Sequence, residues 1–220
     1  MLRRTLLGFV SCCALLSLAG DAGAQWRRGR VEPTGRRVIV APQPAPRAAS
    51  VDPRLLAAAR RYSGDNFTVE TRTPRGARVV AVRGPNAQTL NAIDAGLAEL
   101  FAVARRHGYS ERTNYSDYTI FIGRADRTRD SAGAYSPDVA IGAAQYAGSV
   151  YDKGGYVFAA GMVLSMEPCA FLIAEHDRDF ARISNVARYE GEHIVLYHNN
   201  RRLYQQTADH SRGGSHPILQ

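Results

Sequence analysis

Two stretches of the chain alternate apolar and polar residues with a period of two, FTVETRT (Phe67 to Thr73) and ARVVAVR (Ala77 to Arg83). Both are rich in β-branched residues, and the TPRG link between them predicts a hairpin. The period then changes. Leu90, Ile93, Leu97, Leu100, Phe101 and Ala104 recur at helical spacing, so a long helix is expected from Asn86, a good cap, to Gly108, a good stop. Arg105, Arg106 and His107 suit the negative end of that helix. Upstream, Asp52 and Pro53 predict a cap and first residue for a short helix through RLLAAARRY, ending before Gly64.

Downstream, DYTIFIG (Asp117 to Gly123) reads as a strand and DVAIG as a second, short one. GGYVFAAGMVL is read as a single strand, and CAFLIAE is ambiguous between strand and short helix. From Asp179 to Tyr197 the spacing is helical again, and a last short helix is expected at RRLYQQT, before a GGSHP turn. Strands and helices mix without repeats and without a regular βαβ alternation, which predicts an α+β fold.

The N-terminus falls outside this pattern. Arg3 and Arg4, the apolar run from Thr5 to Gly20, and Ala-Gly-Ala before Gln25 make residues 1–24 a secretory signal peptide. The apolar run is short for a membrane span, and no later segment is long and apolar enough, so an exported protein, periplasmic or secreted, is expected. Residues 25–51 are Pro- and Arg-rich and predict a flexible linker; residues 52–220 are expected to form one α+β domain. Cleavage would leave Cys169 as the sole thiol, which rules out an internal disulfide. The basicity is uneven: six arginines fall between Gln25 and Pro53, while the residues after Pro53 carry 20 basic against 17 acidic side chains. The charge thus belongs largely to the N-terminal tail, and no aromatic-interleaved basic stripe points to nucleic acid. A peptide or an envelope component fits better as a partner.

The chemistry concentrates in RYEGEHIVLYHNN, Arg188 to Asn200. On a helical wheel Phe180, Ile183, Val186, Ala187, Ile194 and Tyr197 share one side, and Glu190 and His193 fall among them. A carboxylate buried without a partner costs several kcal/mol, so it must find a proton, an arginine or a metal. Glu192 is expected to face solvent. Four of the six histidines, His193, His198, His210 and His216, lie in the last 28 residues.

GGYVFAAGMVL followed by YEGEHIVLYH resembles the core of the membrane-linked CAAX-processing and heat-shock-type zinc metallopeptidases, over roughly Gly154 to Asn200. In that family a strand of this kind precedes a helix carrying H-E-x-x-H. The resemblance implies a zincin-like fold, a small mixed sheet packed against an active-site-type helix and one other long helix. It further implies zinc as cofactor, Glu190 as the general base and His193 as a ligand, with His198 matching a further histidine. Tyr189 stands where the first ligand should be, in a position to orient or stabilise an oxyanion. The family's third ligand has no clear match, so Asp209, His210 or His216 would have to replace it. Two functions follow: a divergent zinc-dependent peptidase or its catalytically silent relative, or a non-enzymatic binding or structural domain in which Glu190 and His193 form a buried polar cluster with an arginine such as Arg188 or Arg201.

Overall fold

The computed structural model describes residues 50–126, 138–142, 156–210 and 213–220, with the side chains of 140–142 and 156–158 left aside. The expected signal peptide, nearly all of the expected linker and most of the segment from Arg124 to Gly154 lie outside the described residues. Among the described residues, four helices and a five-stranded mixed sheet make the fold α+β, as the mixed periodicities predict.

Local rules account for the helix ends. Helix α1 (Pro53–Ser63) starts on Asp52, whose side chain accepts from the Arg54 N–H, with proline at its first position. The long helix α2 (Ala87–Arg106) starts on Asn86, whose side chain accepts from Thr89 N–H at 2.8 Å. It stops at Gly108, where φ is +75°, a conformation that glycine adopts without strain. Helix α3 (Phe180–Asn199) is capped by Asp179, and α4 (Arg201–Thr207) follows at once on an Asn200 cap.

The predicted hairpin is present as β1 (Val69–Arg72) antiparallel to β2 (Arg78–Ala81). Strand β3 (Thr119–Gly123) lies parallel to β2, and α2 makes the crossover between them. The ambiguous CAFLIAE is a strand, β7 (Cys169–Ala174), parallel to β3 and buried along its whole length. Its unbroken apolar run reflects a strand covered on both faces. The single strand expected at GGYVFAAGMVL is in fact two. β5 (Tyr156–Ala159) pairs with β4 (Val139–Gly142) in a separate two-stranded sheet, and after a break at Ala160 β6 (Gly161–Met166) joins β7. The main sheet runs β1-β2-β3-β7-β6, so β6 is an edge strand.

Alternation along the strands sorts the core into two faces. Val79, Ala81, Ile120, Ile122, Phe171 and Ile173 point to α2 and α3. Val80, Phe121, Ala170 and Leu172 point the other way, to Leu55 and Ala59 of α1, Phe67 and Val139. Cys169 is 1% exposed, and burial pushes its thiol up to about 11, so it is an inert core residue. Helices α2 and α3 approach closely. A Cβ on Gly96 would lie 2.1 Å from the Ser184 carbonyl oxygen, and one on Gly191 would lie 2.6 Å from Leu100 Cδ2. This contact fixes α3 against the sheet and leaves its far side to the C-terminal residues. No helix of the described residues is long and apolar enough to cross a membrane.

Candidate metal centre

Helix α3 is buried on more than one side. Residues 191–196 are buried consecutively, because α3 touches α2, β6, β7 and α4. The polar groups spread round the helix: Tyr189, Glu192 and His193 are spaced i, i+3, i+4 and face one way, while Glu190, three positions before His193, lies about 60° round from it and about 160° from Glu192.

The first face meets the described residues of the C-terminal tail, 208–210 and 213–220. Ligand nitrogens of His193, His210 and His216 all lie within 4.8 Å of one another. The rings form a triangle, with centroids 5.1 Å apart for His193 and His210, 4.9 Å for His193 and His216, and 4.7 Å for His210 and His216. Burial, and after it the neighbouring His216 and His210, drives the His193 imidazole down to about 3. His210 is lowered in the same way, by burial and then by His216. Such rings resist protons and keep their lone pairs, the state that ligates a metal. Tyr189 also faces this cluster: its ring stacks on His216 at 4.5 Å and 28°, and the Arg188 guanidinium lies over the Tyr189 ring, 5.2 Å from its centre.

Glu192 corrects the expectation of a solvent-facing residue. It is 0% exposed, and both carboxylate oxygens are used. Oε2 lies 2.7 Å from His216 Nδ1, and Oε1 accepts the Ile218 N–H at 2.9 Å. Ile218 in turn is buried in the main core cluster. The tail that carries His216 is thus fastened to α3 by one carboxylate and to the core by one side chain. The wheel missed this because it allowed α3 only one buried face. The run Ile194-Val195-Leu196 spans about 200° of the helix and was the available signal that more than one face is covered.

The side that carries Glu190 meets β6. A Cβ on Gly161 would lie 2.5 Å from Val186 Cγ1 and 2.9 Å from Glu190 Cγ, so Glu190 lies flat on the strand at a position only glycine leaves open. Burial pushes its carboxyl up to about 8, against a smaller opposing effect of a hydrogen bond from the Val163 backbone. The expected arginines are engaged elsewhere. Arg188 donates to Glu99 of α2 at 2.8 Å and to Asn185, and Arg201 sits 3.4 Å from the centre of the Tyr197 ring. The contacts of these two arginines do not include Glu190, whose carboxyl is raised by desolvation instead.

Of the histidines singled out in the sequence, the fold brings three together and sends one away. His198 Nε2 lies 2.9 Å from the Met166 carbonyl oxygen, at the end of β6. Asp209 contributes a carbonyl oxygen that accepts the Gly214 N–H, a contact that shapes the tail. Fold and geometry together define an α+β domain with three histidines close enough to hold a metal ion. No family model, curated protein or solved structure matches the chain.

Proposed function

We propose that this chain is an exported zincin-like domain that holds a zinc ion on His193, His210 and His216. The observation that supports it most is the grouping of three imidazole nitrogens within 4.8 Å, one of them on a ring held neutral down to about pH 3. The donor set fits. Zinc takes imidazole nitrogens at roughly 2.0–2.1 Å, so nitrogens a little over 3 Å apart complete a tetrahedral centre, and three protein ligands leave its fourth position open. A zinc ion there would supply Lewis acidity and acidify a water molecule. Tyr189, stacked on His216, borders the same space and supplies a phenol close to it.

In the peptidase form of this reading, Glu190 is the general base, the role implied by the resemblance, and a peptide is the substrate. Its carboxyl, raised to about 8 without metal, would become a base only as the pH rises or as a nearby cation lowers it. Peptide hydrolysis should therefore be favoured on the alkaline side and be abolished in Glu190→Gln with the fold kept. Export to the periplasm or medium rests on the features of residues 1–24.

A second reading keeps the same residues without metal. The Glu192–His216–Ile218 contacts satisfy a buried carboxylate by themselves, as a structural or binding domain would need. Metal content separates the two. Purified protein should carry near-stoichiometric zinc under the first; protein that stays metal-free, with a thermal stability indifferent to zinc and to chelator, leaves only the second.

A further inference from the structure

We infer that Glu192 is the positioning residue of the metal centre: it fixes which nitrogen His216 offers and holds the tail that delivers that histidine. The inference rests on the metal reading above and goes beyond it by giving a role to a residue that is not a ligand.

The geometry carries it. Glu192 lies on the same face of α3 as His193, one residue before it, and is 0% exposed. Its Oε2, 2.7 Å from His216 Nδ1, makes Nδ1 the protonated nitrogen of the neutral ring, since an oxygen of a carboxylate can only accept. The proton on Nδ1 leaves the lone pair on Nε2, the nitrogen remaining for a metal. A carboxylate behind a metal-binding histidine is the usual means of fixing a tautomer and raising the basicity of the ring. The second oxygen, Oε1, accepts the Ile218 N–H at 2.9 Å, two residues beyond His216. The carboxylate therefore grips the tail on both sides of Pro217, while Tyr189 stacks on the His216 ring and limits its tilt. Two of the three ligands come from this tail, so the centre is assembled only while the tail is docked, and Glu192 keeps it docked with or without an ion.

Glu192→Gln tests this without changing shape. The amide oxygen can still accept from Ile218, but the amide NH2 then faces His216 Nδ1. It would donate there and move the imidazole proton to Nε2, the wrong place for a ligand. Zinc affinity, measured by competition with a chromogenic chelator, should fall by about 10–100-fold, and the 15N resonances of His216 in the metal-free variant should show Nε2 protonated. In the metal-free wild type at alkaline pH the same resonances should show Nδ1 protonated. That wild-type spectrum judges the idea even if the variant does not fold, because a proton on Nε2 there would overturn it. Wild type that takes up zinc beside a Glu192→Gln variant of equal affinity would overturn the role of Glu192 alone. Wild type that takes up no zinc would overturn the metal reading and this inference with it.

Discussion

The two faces of α3 solve one problem in opposite ways. Toward β6, Glu190 lies half-buried against Gly161 with a backbone hydrogen bond from Val163, and its carboxyl rises to about 8. Toward the tail, Glu192 is more deeply buried, yet it is met by an imidazole nitrogen and a backbone N–H. The two carboxylates thus differ in the partners that the rest of the chain brings to them: a strand backbone for one, an imidazole and a tail N–H for the other. The face with partners is also the face where three histidines converge, and this gathers the candidate chemistry on the tail side.

The scaffold that separates these faces is the α2–α3 contact, and breaking it should have the largest effect. Gly96→Leu places a side chain where the Ser184 carbonyl oxygen lies 2.1 Å from the first atom added. It should cost about 3 kcal/mol or more in urea unfolding, because neither helix backbone can yield without opening the core. Loss of less than about 1 kcal/mol would mean the helices are not so closely seated.

On the tail face, Glu192→Ala should cost about 2–3 kcal/mol, since it leaves the Ile218 N–H and His216 Nδ1 without their acceptor. On the β6 face the sign reverses with pH. The folded Glu190 carboxyl titrates near 8 and the unfolded one near 4.5, so the folded state holds the extra proton between these values. Stability should then fall as pH rises from about 4.5 to 8, and metal-free Glu190→Gln should remove that fall. At pH 8 the variant should be more stable than wild type by roughly 4 kcal/mol, and near pH 4 the two should agree. Parallel pH–stability curves would place Glu190 in a wetter or better-paired site. The smallest effect is expected at the rim. Arg188→Ala loses a half-exposed pair with Glu99, side-chain exposures 23% and 58%, and should cost under about 1 kcal/mol.

Much of the scaffold was legible from local rules. The Asp52 and Asn86 caps, the Gly108 stop, the hairpin around TPRG and the last helix at Arg201–Thr207 all depend on residues within a few positions of one another. Strand CAFLIAE was ambiguous because its cover comes from both sides of the sheet, a tertiary fact that leaves no period in the sequence. The break at Ala160 was hidden because β5 pairs back with β4 in a separate sheet while β6 turns at once into an antiparallel pair with β7, a choice of partners that the apolar run does not encode. At the site, the clustering of histidines near the C-terminus pointed to His193, His210 and His216, and helical spacing turned His198 well away from His193, but nothing local showed that the tail histidines come back to α3. That return, beyond α4, carries His210 and His216 to α3 while His198 stays beside Met166. Glu192 was misplaced because a wheel with one apolar side cannot represent a helix enclosed by a sheet, a second helix and a tail.

The metal content of the purified protein tests the central claim most directly. Elemental analysis after purification without chelator should find about one zinc per chain in wild type and much less in His193→Ala and His216→Ala variants that remain folded. Wild-type protein without bound metal, whose melting temperature moves neither with added zinc nor with chelator, would contradict it.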